Sequence, residues 1–411
     1  FFNTVLYTGN GASRSITDVG FRPDWSWFKS RSNSSDHYLF DSSRGANNSL
    51  SSNDTGVEDT TSGQFTQFTD TGFDLPADSA GYINYNSRTY VAWNWKAGGT
   101  TPTKTYKVKV VADSTDYGHG TGSNKYQFFK SDGTTGFGTN GVDIVLQEGG
   151  TYVFDYSDSS AQGHPLRFSL TNDGTHSSGT SAGSEYTTGV VKDDSAYKIT
   201  ITIASGVASL YYYCANHSGM GAEISTNETH GSTNFDGSIT SVVQTNETAQ
   251  FSIITGTTVN VQANDMSETF GHGLSGTPDF LIIKPRNANF LWSVWTSAIT
   301  ISDVQGLTLN SQGALFTNSS YRTIQATSSV VKIGRQAVEN NSTNFVCYAF
   351  KEVKGFSRFG SFTGNGSTDG TFVFTGFRPA WILIKSSSNG EPWNLIDIKR
   401  VEVLDTNDRY V

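Results

Sequence analysis

Residues 211–221 read YYYCANHSGMG, which spaces Cys214, His217 and Met220 as C-x-x-H-x-x-M directly after a strand-like run, ASLYYYC at 208–214. One thiolate, two imidazoles and a weak axial thioether make up the donor set of a blue-copper site, because sulfur suits Cu(I) and imidazole accepts either oxidation state. Three of those four donors are in this run, so the second imidazole must come from elsewhere. His164, in GHPLRFS, lies 50 residues before Cys214 and follows GGTYVFDYSDSSAQG at 149–163, a segment with the composition of a strand and a turn. Cys214 closes its strand, which puts His217 and Met220 on the loop that follows.

An early histidine combined with a late Cys-His-Met loop resembles the small cupredoxins of the pseudoazurin and amicyanin kind, over roughly residues 105–225. The resemblance implies a Greek-key sandwich with one type 1-like copper ion, His164, Cys214 and His217 as equatorial ligands and Met220 as the axial one. The chain departs from that pattern at Asn216, where those proteins often carry proline before the second histidine. The same residues also fit a metal-free sandwich in which Cys214 and Met220 are ordinary core side chains.

Composition sets the wider frame. A chain of 411 residues exceeds one ordinary core and implies about three or four domains. The 43 glycines, abundant Ser, Thr and Asn, and 16 % charged residues describe short strands joined by polar turns, and no long window repeats apolar residues at helical spacing. The expected class is all-β. A net charge of −9 without a Lys/Arg cluster offers no platform for nucleic acid, and no apolar run is long enough for a membrane-spanning helix. Cys214 and Cys347 fall in different expected domains, which argues against a disulfide framework.

An internal repeat organises the two ends of the chain. GFRPDWSWFK at 20–29 recurs as GFRPAWILIK at 376–385 and more loosely as TPDFLIIK at 277–284, and YTGNG at 7–11 recurs as FTGNG at 362–366. Pro23, Pro278 and Pro379 are each followed six residues later by a lysine: Lys29, Lys284 and Lys385. Asp41 and Asp397 each lie 18 residues after their proline, with Arg44 and Arg400 three further on. YVAWNWK and FVCYAFK close the first two copies at Lys96 and Lys351, each 73 residues after its proline, so the third closing strand is expected near residue 452. The expected layout is a β-sandwich at 1–98, a cupredoxin-like domain at 105–225, a second sandwich at 245–353 and an incomplete third at 355–411, with linkers at 98–104 and 225–238. Closing-strand residues Tyr90, Ala92 and Asn94 alternate with Val91, Trp93 and Trp95, as befits a strand between two apolar layers. Trp25, Trp27 and Trp381 fit either core packing or glycan-stacking platforms.

GFRPDW, HYLFDSSRG at 37–45 and YVAWNWKAGG resemble the repeated jelly-roll or lamin-G-like, concanavalin-like sandwich modules of large marine bacteriophage virion proteins. That resemblance implies tandem antiparallel β-sandwiches in a tail fibre, tail appendage or capsid fibre, assembled in the host cytoplasm and carried on the particle. Its implied partners are other copies of the chain, with a homotrimer expected, other virion proteins, and a host surface glycan or protein.

Other chemistry lacks its motifs: there is no G-x-S-x-G elbow, H-E-x-x-H or Walker loop, and the expectation is a non-enzyme. Among the remaining histidines, His176 in NDGTH fits the rim of the copper-like loop or a solvated turn, and His119 and His272 sit in GHG turns. Asp54, Asp59, Asp70 and Asp74 read as turn formers, with a Ca²⁺ site as the competing reading. Two alternatives remain open beside the virion reading: an electron-transfer or copper-handling protein, and a secreted glycan-binding protein.

Overall fold

The computed structural model describes residues 1–411 except 62, 99–101, 177–182, 208, 228–230, 301 and 401–411. His230 and parts of both expected linkers lie outside the described residues. The class is all-β: helical structure among the described residues is confined to Arg335–Val338 and a 3₁₀ turn at Gly174–His176. Two compact units emerge, one made of residues 1–98 and 245–411, the other of residues 99–244.

In the first unit the sequence repeat becomes a structural one. Trp25–Ser30 pairs with His37–Asp41 on one side and with Thr89–Trp95 on the other, and Leu50–Ser51 and Phe2–Thr8 complete a five-stranded antiparallel sheet. Phe280–Pro285 occupies the same place in the second copy, between Ser293–Thr296 and Asn344–Phe350. The register repeats with the motif: Trp25 faces Asp41 and Trp95, Phe280 faces Thr296 and Phe350, and in the third copy Trp381 faces Asp397. Because side chains alternate across a sheet, equivalent residues in all three copies face the same way.

Each of the two longer copies is therefore apolar on both faces. The outward side of the first packs under a small sheet of Arg14–Ile16, Gly72–Leu75 and Gln67–Thr69, burying Phe28, Phe40, Phe65, Phe73 and Tyr90. The inward faces share one core, in which Trp25, Trp27 and Trp93 meet Ile282, Trp292 and Tyr348, with Trp381 and Trp393 of the third copy packed against them. Trp25 stacks on Trp95 and on Tyr348, both at 4.3 Å between ring centroids. The core-packing reading of Trp25 and Trp27 is thus the one the fold adopts.

Burying a polar group without a partner is costly, and although the Trp25 and Trp381 indole N–H groups stay unpaired, the repeat satisfies other buried groups twice over. The Tyr348 hydroxyl donates to Asp41 Oδ2 at 2.6 Å, and Trp93, its counterpart in the first copy, donates Nε1–H to Asp397 Oδ2 at 3.0 Å. Asp41 also pairs with buried Arg44, as Asp397 does with Arg400. Burial alone disfavours the Arg44 charge, but Asp41, Tyr348 and Glu58 outweigh it and raise its pKa.

The second unit packs two sheets face to face. One runs in the order Asn124–Phe128, Thr103–Ala112, Thr151–Asp155, Lys198–Thr202, Val190–Asp193; the other runs Ile144–Gln147, Ala222–Asn227, Ser209–Cys214, Leu166–Ser169. Thr103–Lys107 runs parallel to Thr151–Asp155, and Ile144–Gln147 runs parallel to Ile224–Asn227, so this sandwich mixes parallel with antiparallel pairs. Val108, Phe128, Phe154, Phe168 and Tyr212 fill the space between the sheets. The described residues of 225–238, expected as a linker, belong instead to this fold: Ala222–Asn227 and Ser232–Asn234 are strands, and Phe235 stacks on Phe128 at 4.5 Å. A buried aromatic so close to the end of the unit overrides the turn-rich composition around it.

Replacing Asp41 with Ala leaves the Arg44 guanidinium buried without its closest counter-charge and the Tyr348 hydroxyl without its acceptor. The expected cost is about 3–5 kcal/mol, read from the midpoint of urea unfolding. A loss under about 1 kcal/mol would show that the network carries no net stability.

Candidate metal centre

The register of one strand pair brings the candidate ligands together. Leu166 lies opposite Cys214 in the antiparallel pairing of Leu166–Ser169 with Ser209–Cys214. His164, two residues before Leu166, and the loop after Cys214 therefore share one end of the sheet. Further hydrogen bonds tie the two segments: Ala215 N–H donates to Pro165 O at 2.9 Å, and the Asn216 side-chain amide donates to Gly163 O at 3.2 Å.

Three side chains converge. Cys214 Sγ lies 3.7 Å from His164 Nδ1 and 3.6 Å from His217 Nδ1, and the donor atoms all fall within 4.8 Å of one another. A first-row metal about 2.3 Å from a thiolate and about 2.0–2.1 Å from an imidazole, at angles between tetrahedral and trigonal, holds sulfur and nitrogen about 3.5–3.8 Å apart. The observed spacings fit one ion bound by all three. Cys214 is fully buried, His164 is half-buried and His217 is exposed, so the site has a sheltered sulfur and one ligand at the surface. Burial and the neighbouring His217 lower the His164 pKa, which favours the neutral ring that a metal requires.

Met220 is buried among the same core side chains as Cys214, three residues beyond His217. Its backbone carbonyl accepts the Tyr126 N–H at 2.9 Å, while the Tyr126 hydroxyl donates to His164 O at 2.7 Å. One residue of the opposing sheet thus anchors both segments that carry the candidate ligands. Gly219, at φ +67°, receives a hydrogen bond from buried Lys125 Nζ on its carbonyl and donates its N–H to Asp173 Oδ1 at 2.8 Å. A Cβ at Gly219 would meet the Thr121 backbone at 2.6 Å, so only glycine lets the loop pass.

Asn216, where the resemblance has proline, makes two local hydrogen bonds. Its backbone N–H points at Cys214 Sγ at 3.4 Å while its side chain holds Gly163. His176 does line this region, through Nε2 against Cys214 O at 2.9 Å. The supporting residues Lys125, Tyr126 and Asp173 were not legible in the sequence, since no local pattern marks a side chain that acts across the sandwich.

The other candidates do not gather. His272 is buried and bonded to the Leu274 N–H and to Thr327 O, and His119 pairs with Asp143. Asp54, Asp59 and Asp74 accept hydrogen bonds from nearby turn and strand residues, and His164, Cys214 and His217 form the one metal-capable cluster among the described residues. Both cysteines are free and buried.

Residues 1–140 and 216–411 match the sequence model of the family described as a domain of unknown function, DUF7483. The chain belongs to this family. The match passes over 141–215, and with it His164 and Cys214, while including His217 and Met220. No curated protein and no solved structure matches the chain.

Lys125→Met removes the ammonium that holds Gly219 without touching a ligand. The expected result is a 10–100-fold loss of metal affinity in competition with a chelator, the usual cost of removing a ligand-supporting bond, with the circular dichroism spectrum unchanged. Undiminished affinity would show that the loop holds its shape without this bond.

Proposed function

We propose that this chain is a structural and adhesive component of a bacteriophage particle whose 99–244 unit holds one copper ion through His164, Cys214 and His217, with Met220 as the weak axial donor. The convergence of one thiolate and two Nδ1 atoms, from segments 50 residues apart, carries the copper reading. Soft sulfur beside two imidazoles favours copper over the hard, oxygen-seeking cations. Bound copper supplies one-electron chemistry or a fold-stabilising cross-link, because an ion that binds only the native state stabilises it by mass action.

The particle reading rests on the repeat and its resemblance to virion modules. It is supported by an architecture devoted to packing: copies of one sheet, aromatic on the inside, stitched together through equivalent residues. Other copies of the chain, in a trimer, and a host surface glycan or protein are the partners this role calls for. A copper-handling or electron-transfer protein is the alternative that the site itself favours. The two readings differ in where the protein is found, and antibody labelling of purified particles separates them: labelled particles support the first, and protein confined to the particle-free fraction contradicts it.

Cu(II) added to the full chain should give an intense thiolate charge-transfer band in the visible and narrow copper hyperfine splitting at one ion per chain. Cys214→Ser should abolish the band, whereas Met220→Leu should keep the ion and shift its potential. A saturable copper spectrum that survives Cys214→Ser would place the metal elsewhere.

A further inference from the structure

The copies of the repeat meet through a junction that is built twice from the same parts. Where the second copy meets the first, Trp292 Nε1–H donates to Ser51 O at 2.8 Å, Lys284 Nζ donates to Thr55 O at 3.2 Å, and Glu58 N–H donates to Arg286 O at 2.8 Å. Where the third meets the second, Trp393 Nε1–H donates to Thr308 O at 2.8 Å, Lys385 Nζ to Gln312 O at 3.0 Å, and Leu315 N–H to Ser387 O at 3.0 Å. The spacings coincide on both sides: positions 284, 286 and 292 match 385, 387 and 393, and their partners at 51, 55 and 58 match 308, 312 and 315. Strand register agrees, since Tyr38 faces Ser51 as Ser293 faces Thr308. One rotation relating successive copies reproduces all three bonds.

Both junctions are head-to-tail, with one copy supplying the lysine and tryptophan and the other the loop carbonyls. The buried bonds of the shared core run in the same direction and supply a junction between the remaining two copies. Tyr348 of the second copy donates to Asp41 of the first; its counterpart Trp93, in the first copy, donates to Asp397 of the third, where the Arg400 guanidinium lies over the Trp93 ring at 4.9 Å. The order is therefore third onto second, second onto first, first onto third. A heterologous contact either propagates into a filament or closes into a ring, and this one has closed after three copies.

We propose that the unit of residues 1–98 and 245–411 is the single-chain counterpart of a threefold homotrimer, a closed ring in which the partner of each copy is another copy in the same chain. One such ring carries a single 99–244 unit, where a ring of three separate one-copy chains would carry three. A trimer of whole chains uses other surfaces, because these junctions are made within the chain. The assignment concerns the repeat scaffold and is independent of the copper reading.

The test cross-links the junctions in the full chain. Two double variants, Glu58→Cys with Arg286→Cys and Leu315→Cys with Ser387→Cys, are treated with a short bifunctional thiol reagent, to which the buried Cys214 and Cys347 are shielded. The expected product of each pair has the mass of one chain over a roughly 100-fold range of protein concentration. Products at the mass of two or three chains would show the ring to be shared between chains and overturn the proposal, as would failure of either pair to react. The junction between the first and third copies is read by a double-mutant cycle of Trp93→Phe and Asp397→Ala, with an expected coupling of at least about 5-fold in the unfolding equilibrium constant. Additive effects would leave the ring open there and equally overturn it.

Discussion

The antiparallel register that sets Leu166 against Cys214 is the constraint on which the candidate site depends. A strand pair has a side-chain period of two, so a slip of one residue would turn Cys214 away from the core and break its proximity to His164. That register is enforced at a distance. Phe168 and Tyr212 are directly opposed and both buried, and the cost of exposing two aromatic side chains far exceeds what a metal-free loop could supply to resist slippage. The geometry of the candidate site is thus inherited from core packing and then refined by hydrogen bonds that involve Tyr126, Lys125, Asp173 and Asn216.

The other unit follows a parallel logic with a different product. Its repeated strand carries aromatic and branched residues on one face and a smaller apolar set on the other, so a single sheet can be buried only between two layers. Copies of the same sheet provide one of those layers for each other. Repetition brings equivalent polar groups to equivalent places, which is why the Tyr348–Asp41 bond reappears as Trp93–Asp397. Sequence spacing and three-dimensional bonding are here two views of one periodicity.

Much of this is legible in the sequence. The strand-turn composition implied the all-β class, the Pro-to-Lys and Pro-to-Asp spacings implied matching strands, and the Cys-x-x-His loop together with His164 named the side chains that converge. What the residues did not reveal was tertiary in origin. Phe235 sits in turn-forming sequence that reads as a linker, and its role emerges only when Phe128 lies beneath it. Lys125 and Tyr126 look like ordinary strand residues until the opposing loop is seen. Alternation along a strand shows that both faces are apolar without showing what covers each, so the gathering of repeat copies around one core is not legible in the repeat alone.

The central claim is a copper ion held by Cys214 and two histidines, and the most direct measurement is copper K-edge X-ray absorption fine structure of the full chain loaded with one equivalent of copper. The account predicts one short copper–sulfur distance and two copper–imidazole distances in the first coordination shell. A shell of only nitrogen and oxygen neighbours would contradict it.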